Sequence, residues 1–108
     1  MTKYLIIESR HSSESNDVNR TFELAAGLAA RGNHVDTYLV QNAVLMARAS
    51  ARSTSLSQLA RAGVGVYADD FSLRERGIPC DMVHASVTPS PIERVLDEMS
   101  AGTKCVFL

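Results

Sequence analysis

The sequence predicts an α/β fold: a single three-layer domain with a mostly parallel five-stranded sheet and helices on both faces. Three observations predict it. Short apolar runs alternate with amphipathic segments along the whole chain. The connections between them are short, which favours right-handed crossovers. The 108 residues suffice for one domain, 1–108, and not two.

The elements follow in order. Tyr4-Leu5-Ile6-Ile7 is a continuous apolar run, read as a strand buried on both faces. Arg10 to Asn16 is polar and serine-rich, a loop by composition. A helix starts near Ser15, Asn16 or Asp17, each a good N-cap. Val18, Phe22, Ala25 and Ala29 form its stripe, widened by Leu28, and Arg31-Gly32 ends it. His34 to Val40 carries β-type side chains and reads as the second strand. Gln41 to Ala47 suits a helical turn, and 48–54 reads as a loop. Ser55 and Gln58 match a capping box for a brief helix closing at Gly63.

Val64 to Ala68 is the third strand. Asp69-Asp70 caps a short helix, Phe71 to Arg76, which Gly77 stops. Asp81 to Ser86 reads as the fourth strand, with Thr88-Pro89-Ser90-Pro91 as a turn. Ser90 as N-cap, Pro91 at the first helical position and Glu93 three beyond Ser90 mark a helix start. Ile92, Val95, Leu96 and Met99 make its expected buried stripe. Lys104 to Leu108 is the last strand.

Composition excludes several function classes. Hydrophobic residues are 45% and charged residues 21%, which argues against disorder. The net charge is −1, so no strong field attracts nucleic acid or an anionic membrane. Arg48, Arg52 and Arg61 are the only candidates for a basic patch. The first apolar run is too short for a signal sequence or a membrane span, so a cytoplasmic setting is expected. Cys80 and Cys105 make no disulfide framework, and His11, His34 and His84 form no ligand-spaced pair. Neither a metal nor a cofactor is expected.

In an open parallel sheet, ligands bind beyond the carboxyl ends of the strands, where strand order reverses. The loops there supply the candidate pocket: Ser9, His11, Asn16, Gln41, Asn42, Asp69 and Asp70, with Ser86 and Thr88 after the fourth strand. No residue is assigned a catalytic role. Asp69 and Asp70 read most simply as helix caps, and alternatively as base or ligand. The serines lack a nucleophile elbow, and no phosphate-binding glycine motif occurs. Cys105 reads as a small core hydrophobe. Cys80 is expected at the N-terminal end of the fourth strand, opposite the pocket, where nothing lowers its pKa.

Several segments carry a resemblance. They are Tyr4–Ile7 with the long helix to Ala29-Ala30-Arg31-Gly32-Asn33-His34-Val35, then Tyr38-Leu39-Val40-Gln41-Asn42-Ala43-Val44. Val66-Tyr67-Ala68-Asp69 to Leu73-Arg74-Glu75-Arg76-Gly77-Ile78 follows. In this order the chain resembles the DsrE/DsrF-like family of sulfur-relay proteins, with the YchN-like fold. The resemblance implies a role in intracellular sulfur transfer and assembly as trimers or hexamers, with sites near subunit interfaces. It places the persulfide-carrying cysteine eight residues before the glycine of Arg76-Gly77, where this chain has Asp69. It places Asn42 where many relatives carry aspartate. The family includes cysteine-lacking subunits that assemble with an active partner. The expectation is therefore a binding or structural subunit, as a homo-oligomer or with other DsrE-like chains. The alternatives are a small-molecule-binding or enzymatic domain using the pocket, and a sulfur carrier using Cys80.

Overall fold

The computed structural model describes residues 2–49 and 54–108. Five strands form one parallel sheet: β1 (Lys3–Glu8), β2 (His34–Leu39), β3 (Gly65–Asp69), β4 (Val87–Ser90) and β5 (Lys104–Phe107). The helices are α1 (Asp17–Ala30), α2 (Thr54–Arg61), α3 (Asp70–Glu75) and α4 (Glu93–Ser100). A 3-10 helix spans Gln41–Ala47 and another Cys80–Met82. The order across the sheet is β4-β3-β2-β1-β5.

That order explains the layers. The chain steps outward from β1 through β4, then returns past β1 to β5. Right-handed crossovers put α1, α2 and α3 on one face and the returning α4 on the other. Strand alternation supplies both cores. Ile6, Val35, Leu39, Val66 and Val87 meet Val18, Phe22, Leu59 and Leu73 on the first face. Leu5, Ile7 and Tyr38 meet Val95 on the second, with Val40, Tyr67 and Cys105 partly buried around them. Three layers are present as expected, and the second core is small.

The local signals acted largely as read. Gly32 has φ +88 and its N–H donates to Ala29 O at 3.0 Å, while Asn33 N–H donates to Leu28 O at 3.3 Å, a Schellman closure of α1. The residue Asn16 that precedes α1 gives no side-chain cap; Ser15 Oγ accepts from Asp17 N–H at 3.1 Å instead. The expected loop at 48–54 lies largely outside the described residues, and so does the Ser55 side chain of the proposed capping box.

The fourth strand departs from expectation. It is Val87–Ser90, the stretch read as a turn, while Cys80–Met82 is a 3-10 turn and Val83 makes one isolated antiparallel bridge to Arg48. The reason is position: among the described residues β4 pairs only with β3, and an edge strand tolerates Pro89. His84 therefore lies in a loop, its Nδ1 accepting from Ser86 N–H at 3.0 Å. Ser86 precedes β4 and Thr88 sits inside it, so neither belongs to the C-terminal loop edge. Ser90 ends the strand rather than capping α4, and its Oγ accepts from Arg94 Nε at 2.8 Å. Of the expected stripe only Val95 is buried; Ile92, Leu96 and Met99 are 50%, 59% and 51% exposed.

Candidate functional site

The C-terminal ends of β2, β3 and β4 meet at Asp69. It ends β3 and caps α3, with φ −60 and ψ 118. Its Oδ2 accepts from Ser72 N–H at 3.1 Å and from Ser72 Oγ at 2.6 Å. The Tyr38 hydroxyl is 3.1 Å from Asp69 Oδ1 and 2.9 Å from Ser90 O, and donates its proton to this pair of acceptors. Ser72 Oγ in turn accepts from Gln41 N–H at 2.9 Å. Gln41 holds φ +51, a left-handed backbone that only a few per cent of non-glycine residues adopt.

Asp69, Ser72, Ser90 and Tyr38 are all buried. Burial pushes the Tyr38 phenol well above its ordinary pKa, and the neighbouring Asp69 carboxylate adds to the shift. The phenol thus stays protonated and available as a donor. Both Asp69 oxygens are occupied by donors, and the Ser72 hydroxyl proton is committed to Asp69. The arrangement joins three strand ends. Three of the roughly four lone-pair sites of Asp69 are engaged, a structural use of the carboxylate.

A second carboxylate lies at the end of β1. Glu8 is fully buried, and its Oε2 accepts from Ser9 N–H at 2.9 Å, Arg10 N–H at 3.1 Å and Arg10 Nε at 3.3 Å. Hydrogen bonding to Glu8 and its charge raise the Arg10 pKa, so the guanidinium remains charged. Arg10 also lies 3.7 Å from Asp17, which Arg20 approaches at 3.4 Å. Arg10, Asp17, Arg20, Thr21, Leu24 and Leu108 line a cleft of about 280 Å³. This cleft is lined by α1, by Arg10 after β1 and by Leu108 after β5, the two neighbouring strands at which the strand order reverses.

The remaining candidates disperse between these two places. Asn42 Nδ2 donates to Glu14 Oε1 at 2.8 Å, and its Oδ1 accepts from Arg76 at 3.0 and 3.3 Å. Asn42 therefore ties the loop after β1 to the end of α3. His11 bonds locally, 2.8 Å from Ser13 Oγ. Ser9 Oγ donates to Leu108 O at 3.5 Å, toward β5. Asp70 pairs loosely with Arg74 at 3.9 Å. Gln41 and Asp69 are brought together through Ser72; Ser9, His11, Asn16 and Asp70 do not join them.

Sequence reading missed Tyr38, Ser72 and Ser90, and left Glu8 and Arg10 out of the pocket. Ser72 carried no signal: a capping box takes Glu or Gln at N3, whereas Ser72 Oγ donates to the Asp69 side chain. Tyr38 carried none, because a run of β-type residues does not say which face each occupies. Cys80 is exposed on the turn beyond α3, and burial raises the pKa of Cys105. Among the described residues no cluster of His, Cys, Asp or Glu is arranged to hold a metal ion. None of their helices is long and apolar enough to cross a membrane.

No protein-family model and no curated protein matches the chain. Solved structures do. The chain is similar to a protein of unknown function, MTH1491, from Methanobacterium thermoautotrophicum, at 16% identity and TM-score 0.88 over all of both chains. BT1422 of Bacteroides thetaiotaomicron, also of unknown function, matches at 14% identity and TM-score 0.76, covering 98% of this chain and 95% of that one. The ychN protein of E. coli aligns over the full length of both at 16% identity and TM-score 0.89, and at such identity the likeness establishes the architecture: the chain has the α/β fold of the ychN protein.

Proposed function

We propose that this chain is a non-catalytic binding or structural subunit in cytoplasmic sulfur metabolism, working within a homo-oligomer or beside other DsrE-like chains. The observation that carries the reading is the state of Asp69. The family resemblance assigns its position to the sulfur-carrying cysteine. In this chain the side chain there is buried, accepts three hydrogen bonds and caps α3. A carboxylate cannot hold sulfane sulfur, and this one is committed to structure. The ychN-like fold supports the resemblance in architecture.

The cysteines give little support to a carrier role. Cys105 is held protonated by burial, which lowers its nucleophilicity. Cys80 is accessible, at the start of the turn Cys80–Met82, and none of the Asp69 hydrogen bonds involves it. Intact mass after exposure to a stoichiometric persulfide donor tests the proposal. The expected spectrum shows no retained sulfur. A one-sulfur adduct that disappears in Cys80→Ala would replace this reading with a Cys80 carrier.

A further inference from the structure

The exposed large apolar side chains are not scattered. Among the described residues, only Phe71 and Met82 of that group lie away from one edge of the molecule. The others are Leu24, Ile92, Leu96, Met99, Phe107 and Leu108, and they flank the edge strand β5 from both faces of the sheet. On the second face, Ile92, Leu96 and Met99 fall within about 60° of one another at 100° per residue. Arg94 lies nearly opposite that stripe and sits 3.8 Å over the Tyr67 ring of β3. The stripe therefore looks toward β5. Phe107, 64% exposed, shares that face because it aligns with Ile7 of the α4-side core. On the first face, Leu24 and Leu108 line the same cleft.

The strand between these flanks has a free edge. Among the described residues β5 pairs with β1 alone. Leu108 N–H donates to Ile7 O, so residues of even number turn their backbone groups toward β1. Cys105 and Phe107 then turn theirs outward. An apolar edge with unpaired backbone groups is a template for another strand. Such edges are normally blunted by charge, and Lys104 is the single charged residue of β5.

We infer that two copies of this chain pair antiparallel through β5, the two α4 stripes packing together across the joined sheet. A two-fold axis normal to the sheet keeps each face continuous and closes the assembly. It also forces one residue to lie opposite itself. Thr103 N–H is already bonded to Glu98 O, and its hydroxyl to Glu98 Oε2 at 2.6 Å, so pairing centred on Cys105 would need a residue that is engaged. Centred on Val106, Cys105 and Phe107 of opposite copies exchange both backbone bonds. Val106 then meets its own copy in a non-hydrogen-bonded pair, with Cα atoms about 4.5 Å apart. Six flanking side chains, half exposed, together with the strand edge approach the roughly 800 Å² per partner of a standard stable interface. The inference deepens the reading as an assembling subunit and rests on it for context. Its test reads mass and cross-links, whereas sulfur acceptance reads chemistry, so either can fail alone.

Analytical ultracentrifugation of the full chain tests it. The expected mass is an even multiple of the chain mass. Leu96→Glu and Phe107→Lys, both at exposed positions, should each lower the association by tenfold or more while far-UV circular dichroism is unchanged. In a Cys80→Ser, Cys105→Ser background, Val106→Cys should form a disulfide-linked dimer on mild oxidation, since disulfides span Cα separations of about 4.4–6.8 Å. Ala101→Cys in the same background should not. A monomer at all concentrations, an odd-numbered assembly, association untouched by both charge variants, or a dimer in which Val106→Cys fails to cross-link would each overturn the inference.

Discussion

Replacing Asp69 with alanine removes three acceptor contacts at once, and their sizes can be estimated one by one. Loss of the cap on Ser72 N–H costs about 1 kcal/mol. Loss of the charge-assisted bonds from Ser72 Oγ and Tyr38 costs about 1.5–3 kcal/mol where a donor is left weakly satisfied. Two contacts soften the loss. Tyr38 keeps Ser90 O at 2.9 Å, and Ser72 Oγ still accepts from Gln41 N–H. The net expectation is about 3 kcal/mol, against about 5–15 kcal/mol for a whole domain. Urea unfolding should show it as a midpoint lowered by about 1–3 M at an unchanged slope. A double-mutant cycle with Ser72→Ala should give a coupling of about 1–2 kcal/mol, because both changes break the same bonds. Asp69→Asn, which retains a cap acceptor, should lose less. A change below about 0.5 kcal/mol for Asp69→Ala, or strictly additive single effects, would refute the cap and the network built on it.

Two further outcomes follow from the same geometry. Thr37 Oγ1 is buried in the first-face core without a hydrogen-bond partner among the described residues, so Thr37→Val should stabilise the protein by about 1 kcal/mol in the same urea assay. The Tyr38 phenol has a raised folded pKa, so its contribution is fully present below the unfolded value of about 10 and lost as pH rises through the higher folded value. Stability should therefore decline above about pH 10 more steeply than in Tyr38→Phe, measured by urea midpoints across the alkaline range.

Much of the fold was legible because local signals agreed with one another. Val18, Phe22 and Ala25 kept their helical spacing and lie buried, and Gly32 took the left-handed position that ends α1. The fourth strand was not legible. Val87-Thr88-Pro89-Ser90 has turn chemistry, and only its place at the sheet edge lets it pair with β3. The α4 stripe misled for a related reason. Apolar spacing says that a face seeks cover, but not that the same chain supplies it, and Ile92, Leu96 and Met99 remain exposed. At the site, the cap was legible from Asp69-Asp70 standing before a short helix that Gly77 stops, whereas the link of Asp69 to Tyr38 depends on β2 and β3 lying side by side. The coupling of Gln41 to Ser72 depends on a positive φ that no propensity anticipates at glutamine.

The chain has the ychN-like architecture, and the function proposed for it rests on a structural carboxylate, Asp69, at the position that the family resemblance assigns to the sulfur carrier. Sulfur flux tests it most directly. A persulfide donor and a thiol acceptor are mixed with and without the protein, and the rate at which sulfur reaches the acceptor is measured. The expected rate is the same in both, and the same again with Cys80→Ala. An acceleration by the wild-type chain that Cys80→Ala abolishes would contradict it.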